Sequence, residues 1–130
     1  MPDTPDEAEV RALNRRFYDA FEARDLNAMS DVWEHHDGVA CTHPGWRTLR
    51  GWAAVSASWF ALFGNPSPMQ FILTEEHVTV EGDVGWATVD ENLIAGDAGT
   101  TVAALNLFHR SKGVWRMVAH HGSAVAPTAN

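Results

Sequence analysis

The chain has 130 residues, 45% of them hydrophobic, with six tryptophans and a single cysteine. That length carries one domain with its own core, and one cysteine excludes an internal disulfide or a cysteine-based zinc cage. Seventeen acidic against nine basic residues leave a net charge of −8, which opposes the phosphate contacts behind nucleic-acid affinity, so neither nucleic acid nor a membrane surface is an expected partner.

The first residues, Met1-Pro2-Asp3-Thr4-Pro5-Asp6-Glu7, lack the basic start and apolar run of a signal peptide, and a cytoplasmic location is the expectation. Thr4, Pro5 and Glu7 instead form a helix start signal: a capping hydroxyl, proline at the first helical position and glutamate three residues after the cap. Val10, Leu13, Phe17 and Phe21 follow at helical spacing with Ala20 beside them, which predicts one amphipathic helix. Asp25 is placed to cap a second, short helix whose buried side is Leu26, Met29, Val32 and Trp33. Gly38 to Thr42 reads as a short strand running into the His43-Pro44-Gly45-Trp46 loop. A third helix is predicted from near Gly51, with Trp52, Val55, Trp59, Leu62 and Phe63 in period, and Gly64-Asn65-Pro66 stops it.

The second half reads as four strands, from about Met69 to Val80, Val84 to Ala95, Thr101 to Arg110 and Val114 to Val125. Glu-Gly-Asp, Gly-Asp-Ala-Gly and Ser-Lys-Gly turns separate them, the pattern of an antiparallel meander. Residues 1–125 form a single domain in this reading, and residues 126–130 a flexible C-terminal tail.

The fold class is α+β: three N-terminal helices packed in a curved, mostly antiparallel sheet of about five strands, a cone with an open mouth. Alternation along the strands assigns the even-numbered Trp86, Asp90, Asn92, Asn106, Phe108 and His120 to one concave, cavity-lining face. The odd-numbered Ala103, Leu105, Leu107, Ala87, Val89 and Leu93 then form an apolar convex face, expected to bury itself in a homodimer.

The helix start, the Asp25-Leu26-Asn27-Ala28 segment, Thr42-His43-Pro44-Gly45-Trp46 with Leu49-Arg50-Gly51, and the closing Trp115-Arg116-Met117-Val118-Ala119-His120-His121-Gly122-Ser123 together resemble the SnoaL-like branch of the nuclear transport factor 2-like superfamily, a cystatin-like fold. The closing segment is also similar to the end of the association domain of calcium/calmodulin-dependent kinases. The resemblance implies a domain shared by ketosteroid isomerases, polyketide cyclases, scytalone dehydratase, limonene epoxide hydrolase and non-catalytic ligand-binding or dimerising proteins, so function does not follow from fold. It sets His43 where ketosteroid isomerase keeps its aspartate base, and Asn92, Asn106 and Gly122 where the association domains place pocket arginines. Those three positions are implied to face the cavity. Lacking those arginines and the isomerase's tyrosine–aspartic acid pair, the chain is implied to take neither a steroid nor a carboxylate there.

His43 is the leading candidate for a general base, because imidazole titrates near neutrality; hydrogen bonding to its own loop is the structural alternative. Asp90 or His120 would orient it or act as acid, and Asn92 with Asn106 would hold a substrate oxygen or bond to one another. Trp33, Trp46, Trp59, Phe63, Trp86 and Phe108 would line an aromatic pocket or simply pack. His121, opposite in direction to His120, falls on the outer face. Cys41 and His43 share one side of a strand, which permits a thiolate–imidazole pair as well as a buried free cysteine. Adjacent His35-His36-Asp37 do not converge as ligands, and no metal is expected. The functional expectation is binding of a small apolar or cyclic molecule, with cofactor-independent isomerisation, cyclisation, dehydration or hydrolysis by His43. The alternative is a non-catalytic ligand-binding or dimerisation module.

Overall fold

The computed structural model describes residues 2–65, 69–95 and 98–127. Helix α1 spans Pro5–Ala23 and opens with the full capping box: the Thr4 hydroxyl accepts from the Glu7 amide at 3.1 Å, and Glu7 Oε1 accepts from the Thr4 amide at 2.8 Å. Its inward face is Val10, Leu13, Asn14, Phe17 and Tyr18. Arg24, in the left-handed conformation, ends it. Asp25 caps the short α2, Leu26–Val32, and α3 is Trp52–Phe63.

Six strands follow the chain as β1 (Ala40–Thr42), β2 (Leu49–Arg50), β3 (Gln70–Glu81), β4 (Val84–Ala95), β5 (Ala98–Ser111) and β6 (Val114–Ala124). They form one sheet in the order β2-β1-β6-β5-β4-β3, antiparallel except where β1 runs parallel to β6. The two-residue β2, between the Pro-Gly loop and α3, brings the strands to six where the sequence predicts about five. Gly96-Asp97 of the β4–β5 turn, Pro66 and the last three residues of the expected tail lie outside the described residues.

The long strands curl around α1 to make an α+β cone with the core between them. Helix and sheet pack tightly at Gly85, where an added Cβ would meet Val10 Cγ2 at 2.9 Å; the glycine leaves room for that side chain.

Which side chains enter the cone is set by strand register, and here the expectation from even numbering is corrected. Asp90 pairs with Ala103 and Glu91 with Val102. Directly paired residues share a face, so even positions of β4 stand with odd positions of β5. Asp90, Asn92 and Trp86 therefore lie on the outer face with Ala103, Thr101 and Leu107, while Ala87, Val89 and Glu91 are buried inside. Asn92 bonds there to the Ile72 carbonyl and the hydroxyls of Thr74 and Thr101. Asn106, Phe108 and His120 do face inward.

His120 does so because of a bulge. Leu107 pairs with Ala119 but Phe108 with Met117, leaving Val118 as an extra residue that switches the alternation of β6, the re-aiming for which such bulges are used. A second bulge in β3 sets Glu75 and Glu76 between the Thr74–Asp90 and His77–Thr88 pairs. Glu75 takes a φ of 54°, and Glu76 meets Arg11 and Asn14.

The outer face is accordingly less apolar than expected. Ala87, Val89 and Leu93 belong to the core side, and Leu105, 44% exposed, Ile72, 50% exposed, and the half-buried Leu107 and Trp86 share the convex surface with Thr88, Asp90 and His121.

Candidate functional site

At the mouth of the cone lies a cavity of about 280 Å³, walled by Phe21 and Arg24 of the α1 end, Leu62 and Phe63 of α3, Met69, and the inner strand residues Leu93, Thr100 and Val102. Pro44 and Trp46 come from the β1–β2 loop, and Asn65 completes the rim. Besides Arg24 at the exposed rim, three ionisable side chains interrupt the apolar wall: His43, Glu91 and His120. All three are nearly excluded from solvent, at 3%, 3% and 2% exposure.

Hydrogen-bond direction fixes the state of His120. The Asn106 amide nitrogen donates to Asn14 Oδ1 at 2.8 Å and to the Tyr18 hydroxyl at 3.1 Å, so its Oδ1 faces His120 Nδ1, 2.5 Å away, as an acceptor. His120 must donate from Nδ1, which leaves the Nε2 lone pair as the basic atom. Among the described residues Nε2 has no hydrogen-bond partner, and His120 lines the cavity, so the ring is available to it through that atom. Burial first, then His43 and His121, hold the imidazole down to about 3, neutral at physiological pH.

The network extends in both directions. Tyr18, accepting from Asn106, donates to Glu91 Oε2 at 2.5 Å; Asn14 donates to Glu76 Oε2 at 2.8 Å, and Arg11 holds the other Glu76 oxygen at 2.8 Å. Burial pushes the Glu91 carboxyl up to about 7, against the lowering effect of the Tyr18 bond. It is therefore a carboxyl poised to give or take a proton near neutrality. Burial and the Glu91 charge drive the Tyr18 phenol far upward, so it stays a donor.

His43 sits at the end of β1, edge-on to Trp46 at 4.9 Å and Trp59 at 4.8 Å between ring centres. Ser58 spends its one hydroxyl proton on the Val55 carbonyl at 2.6 Å, so at 2.9 Å it accepts from His43 Nε2, and Nδ1 carries the lone pair. Cys41 Sγ lies 4.0 Å from Nδ1 and 3.7 Å from Nε2; near-equal distances put the sulfur on neither lone-pair axis. Burial, then the charge of Glu91, pushes the thiol up to about 12, and no nucleophilic thiolate–imidazole pair forms. Burial also lowers His43 to about 4. The His43 and His120 rings are 6.5 Å apart, each held by its own partner rather than by the other.

Of the residues proposed from sequence, His43, His120, Trp46 and Phe63 line the cavity. Trp59 backs His43, and Asn106 holds His120. Phe108 is core, and Trp33 packs beside Trp52 away from the cavity. Asp90, Asn92 and Trp86 are on the opposite side of the sheet. Gly122 faces inward as the resemblance implied, its missing side chain occupied by Val102 and Pro44. Sequence reasoning missed Glu91, Tyr18 and Asn14. Glu91 enters the cone through the β4–β5 register, opposite Val102, which the alternation of β4 alone does not specify.

The SnoaL-like domain family matches residues 10–127. A candidate dehydratase of the nuclear transport factor 2-like family from Streptomyces avermitilis superposes with a TM-score of 0.87 at 34% identity, covering 95% of this chain and 100% of that one. A candidate calcium/calmodulin-dependent protein kinase type II association domain from Thiobacillus denitrificans gives 0.83 at 37% identity, covering 97% of this chain and 100% of that one. The F-box protein SKIP8 of Arabidopsis thaliana is 28% identical over 116 residues, 89% of this chain, which spans about half (49%) of that curated relative.

Proposed function

Since the chain belongs to the SnoaL-like domain family, we propose that it binds a small, largely apolar molecule in the cone and acts on it by cofactor-independent acid–base chemistry, with dehydration as the reaction the site fits best. The observation that carries this reading is one apolar cavity bearing two neutral imidazoles and a carboxyl raised to about 7. Groups whose surroundings push their proton affinities apart are the usual acid and base of such a site. The similarity to a candidate dehydratase supports it further.

In this reading His43 Nδ1 removes a proton from a carbon next to an electron-withdrawing group. That C–H pair becomes a C=C bond as the neighbouring C–O bond breaks, and the departing hydroxide takes the Glu91 proton and leaves as water. The proton on His43 returns to Glu91 through solvent. Isomerisation would use the same base with the proton returned to another carbon.

The test is a panel of small cyclic hydroxy-carbonyl compounds screened by thermal shift, with turnover followed as loss of water. Binding raises apparent stability by mass action. His43→Gln and Glu91→Gln are expected to keep binding while lowering turnover about 100-fold or more; turnover indifferent to both variants would overturn the reading. The second reading, a non-catalytic self-associating module, is favoured by the 37% identical association domain and by the exposed Leu105 and Ile72 of the outer sheet face. Binding without turnover of any compound would favour it.

A further inference from the structure

We propose that Asn106, itself oriented by Asn14 and Tyr18, is a positioning residue that fixes His120 as the Nδ1–H tautomer, and that the cavity therefore selects ligands whose polar head is a hydroxyl rather than a bare carbonyl or a carboxylate. The second half of this inference rests on the cavity-binding reading above; the first stands without it.

The tautomer follows from counting protons. The Asn106 amide is fully buried, and its orientation cannot reverse: a flipped amide would set its oxygen against Asn14 Oδ1. Asn14 is held in turn because its own nitrogen is committed to Glu76, whose other oxygen is committed to Arg11. The direction of every bond from Arg11 to His120 is thus dictated by a guanidinium that can only donate. His120 has no freedom left, and Nε2 is an acceptor.

His43 adds a second acceptor by the same logic from Ser58. A hydroxyl head satisfies this lining twice over, donating to His120 Nε2 and accepting from the protonated Glu91 carboxyl. A ketone leaves His120 Nε2 desolvated and unpaired, and a carboxylate there adds a charge beside two neutral imidazoles and Glu91, while the cation of the wall, Arg24, sits at the exposed rim on the Asn65 carbonyl. Leaving one buried acceptor unpaired costs roughly 5- to 140-fold in affinity.

The test has two arms on the full chain. Long-range proton–nitrogen NMR of ¹⁵N-labelled protein, with His120 assigned through His120→Gln, reads the tautomer directly. The expected result is Nδ1–H in the wild type, retained in Asn106→Asp, which keeps an acceptor, and collapsed in Asn106→Leu. An Nε2–H signal in the wild type, or its appearance in Asn106→Asp, overturns the positioning role even if the leucine variant does not fold. In the second arm, cyclohexanol, cyclohexanone and cyclohexanecarboxylate are titrated by tryptophan fluorescence. Cyclohexanol is expected to bind about fivefold or more tighter than the other two, with the preference lost in Asn106→Leu. Equal or tighter binding of the ketone or the carboxylate overturns the selection. If none of the three binds while NMR reports Nδ1–H, the cavity-binding reading falls and takes ligand selection with it, and the tautomer lock stands.

Discussion

The Tyr18 hydroxyl donates to Glu91 Oε2 across 2.5 Å of buried space, joining the chain's single tyrosine on α1 to a carboxyl on β4. That bond is what opposes burial at Glu91, and it also supplies the acceptor for one Asn106 proton. Tyr18→Phe removes both. Glu91 should then titrate above its wild-type value, read from its carboxyl ¹³C shift, and denaturant unfolding should show a loss of about 1–3 kcal/mol for the unpaired buried groups. A Glu91 titration unchanged or lower in Tyr18→Phe would contradict this account.

Stability should depend on pH in a way that separates the carboxyl from the imidazoles. His43 and His120 are held near 4 and 3 in the folded protein, against an ordinary 6.5. Between about 4 and 6.5 the unfolded chain binds protons that the folded one refuses, so these groups make stability rise with pH. Glu91 works oppositely: between its ordinary 4.5 and about 7 the folded carboxyl keeps a proton the unfolded one has lost, so its contribution falls as pH rises. From 4.5 to 6.5 two imidazoles outweigh one carboxyl, a net gain on the order of 1.4 kcal/mol per pH unit from these groups. Glu91→Gln removes the opposing contribution and should roughly double that slope, measured as melting temperature against pH in the two proteins.

Contact between α1 and the sheet should be sensitive to a single methyl group. Gly85→Ala drives a Cβ to 2.9 Å from Val10 Cγ2 and 3.4 Å from Val80 Cγ2, an overpacking expected to cost about 1–3 kcal/mol. The double variant Gly85→Ala with Val10→Ala should cost less than the two single changes added together, a coupling read from a double-mutant cycle.

If the outer sheet face is the self-association surface, its centre is Leu105, paired with Thr88 on one side and His121 on the other. Leu105→Glu places a charge there and should shift sedimentation from dimer to monomer, with the circular dichroism spectrum unchanged. A wild-type chain that sediments as a monomer at high concentration would remove that surface from consideration.

Helix starts, the Glu-Gly-Asp and Ser-Lys-Gly turns and the four long strands were legible in the sequence because each is decided within a few residues. The Thr4–Glu7 box, the Asp25 cap and the hydrophobic periods act locally, and the α+β class follows from their order. His43 came to notice through the resemblance of the Thr42–Trp46 segment and the neutral range of its imidazole, and it lines the cavity. The rest of the site was decided between strands. A one-residue offset reverses every side chain of a strand: the β4–β5 pairing turned Asp90, Asn92 and Trp86 outward and Glu91 inward, and the extra residue Val118 turned His120 back into the cone. Asn14 and Tyr18, one helical turn apart on α1, are far in sequence from Glu91 and Asn106 and meet them only because the sheet wraps α1. Their charge and tautomer states, which give the cavity its chemistry, exist only once the tertiary structure has removed water from them.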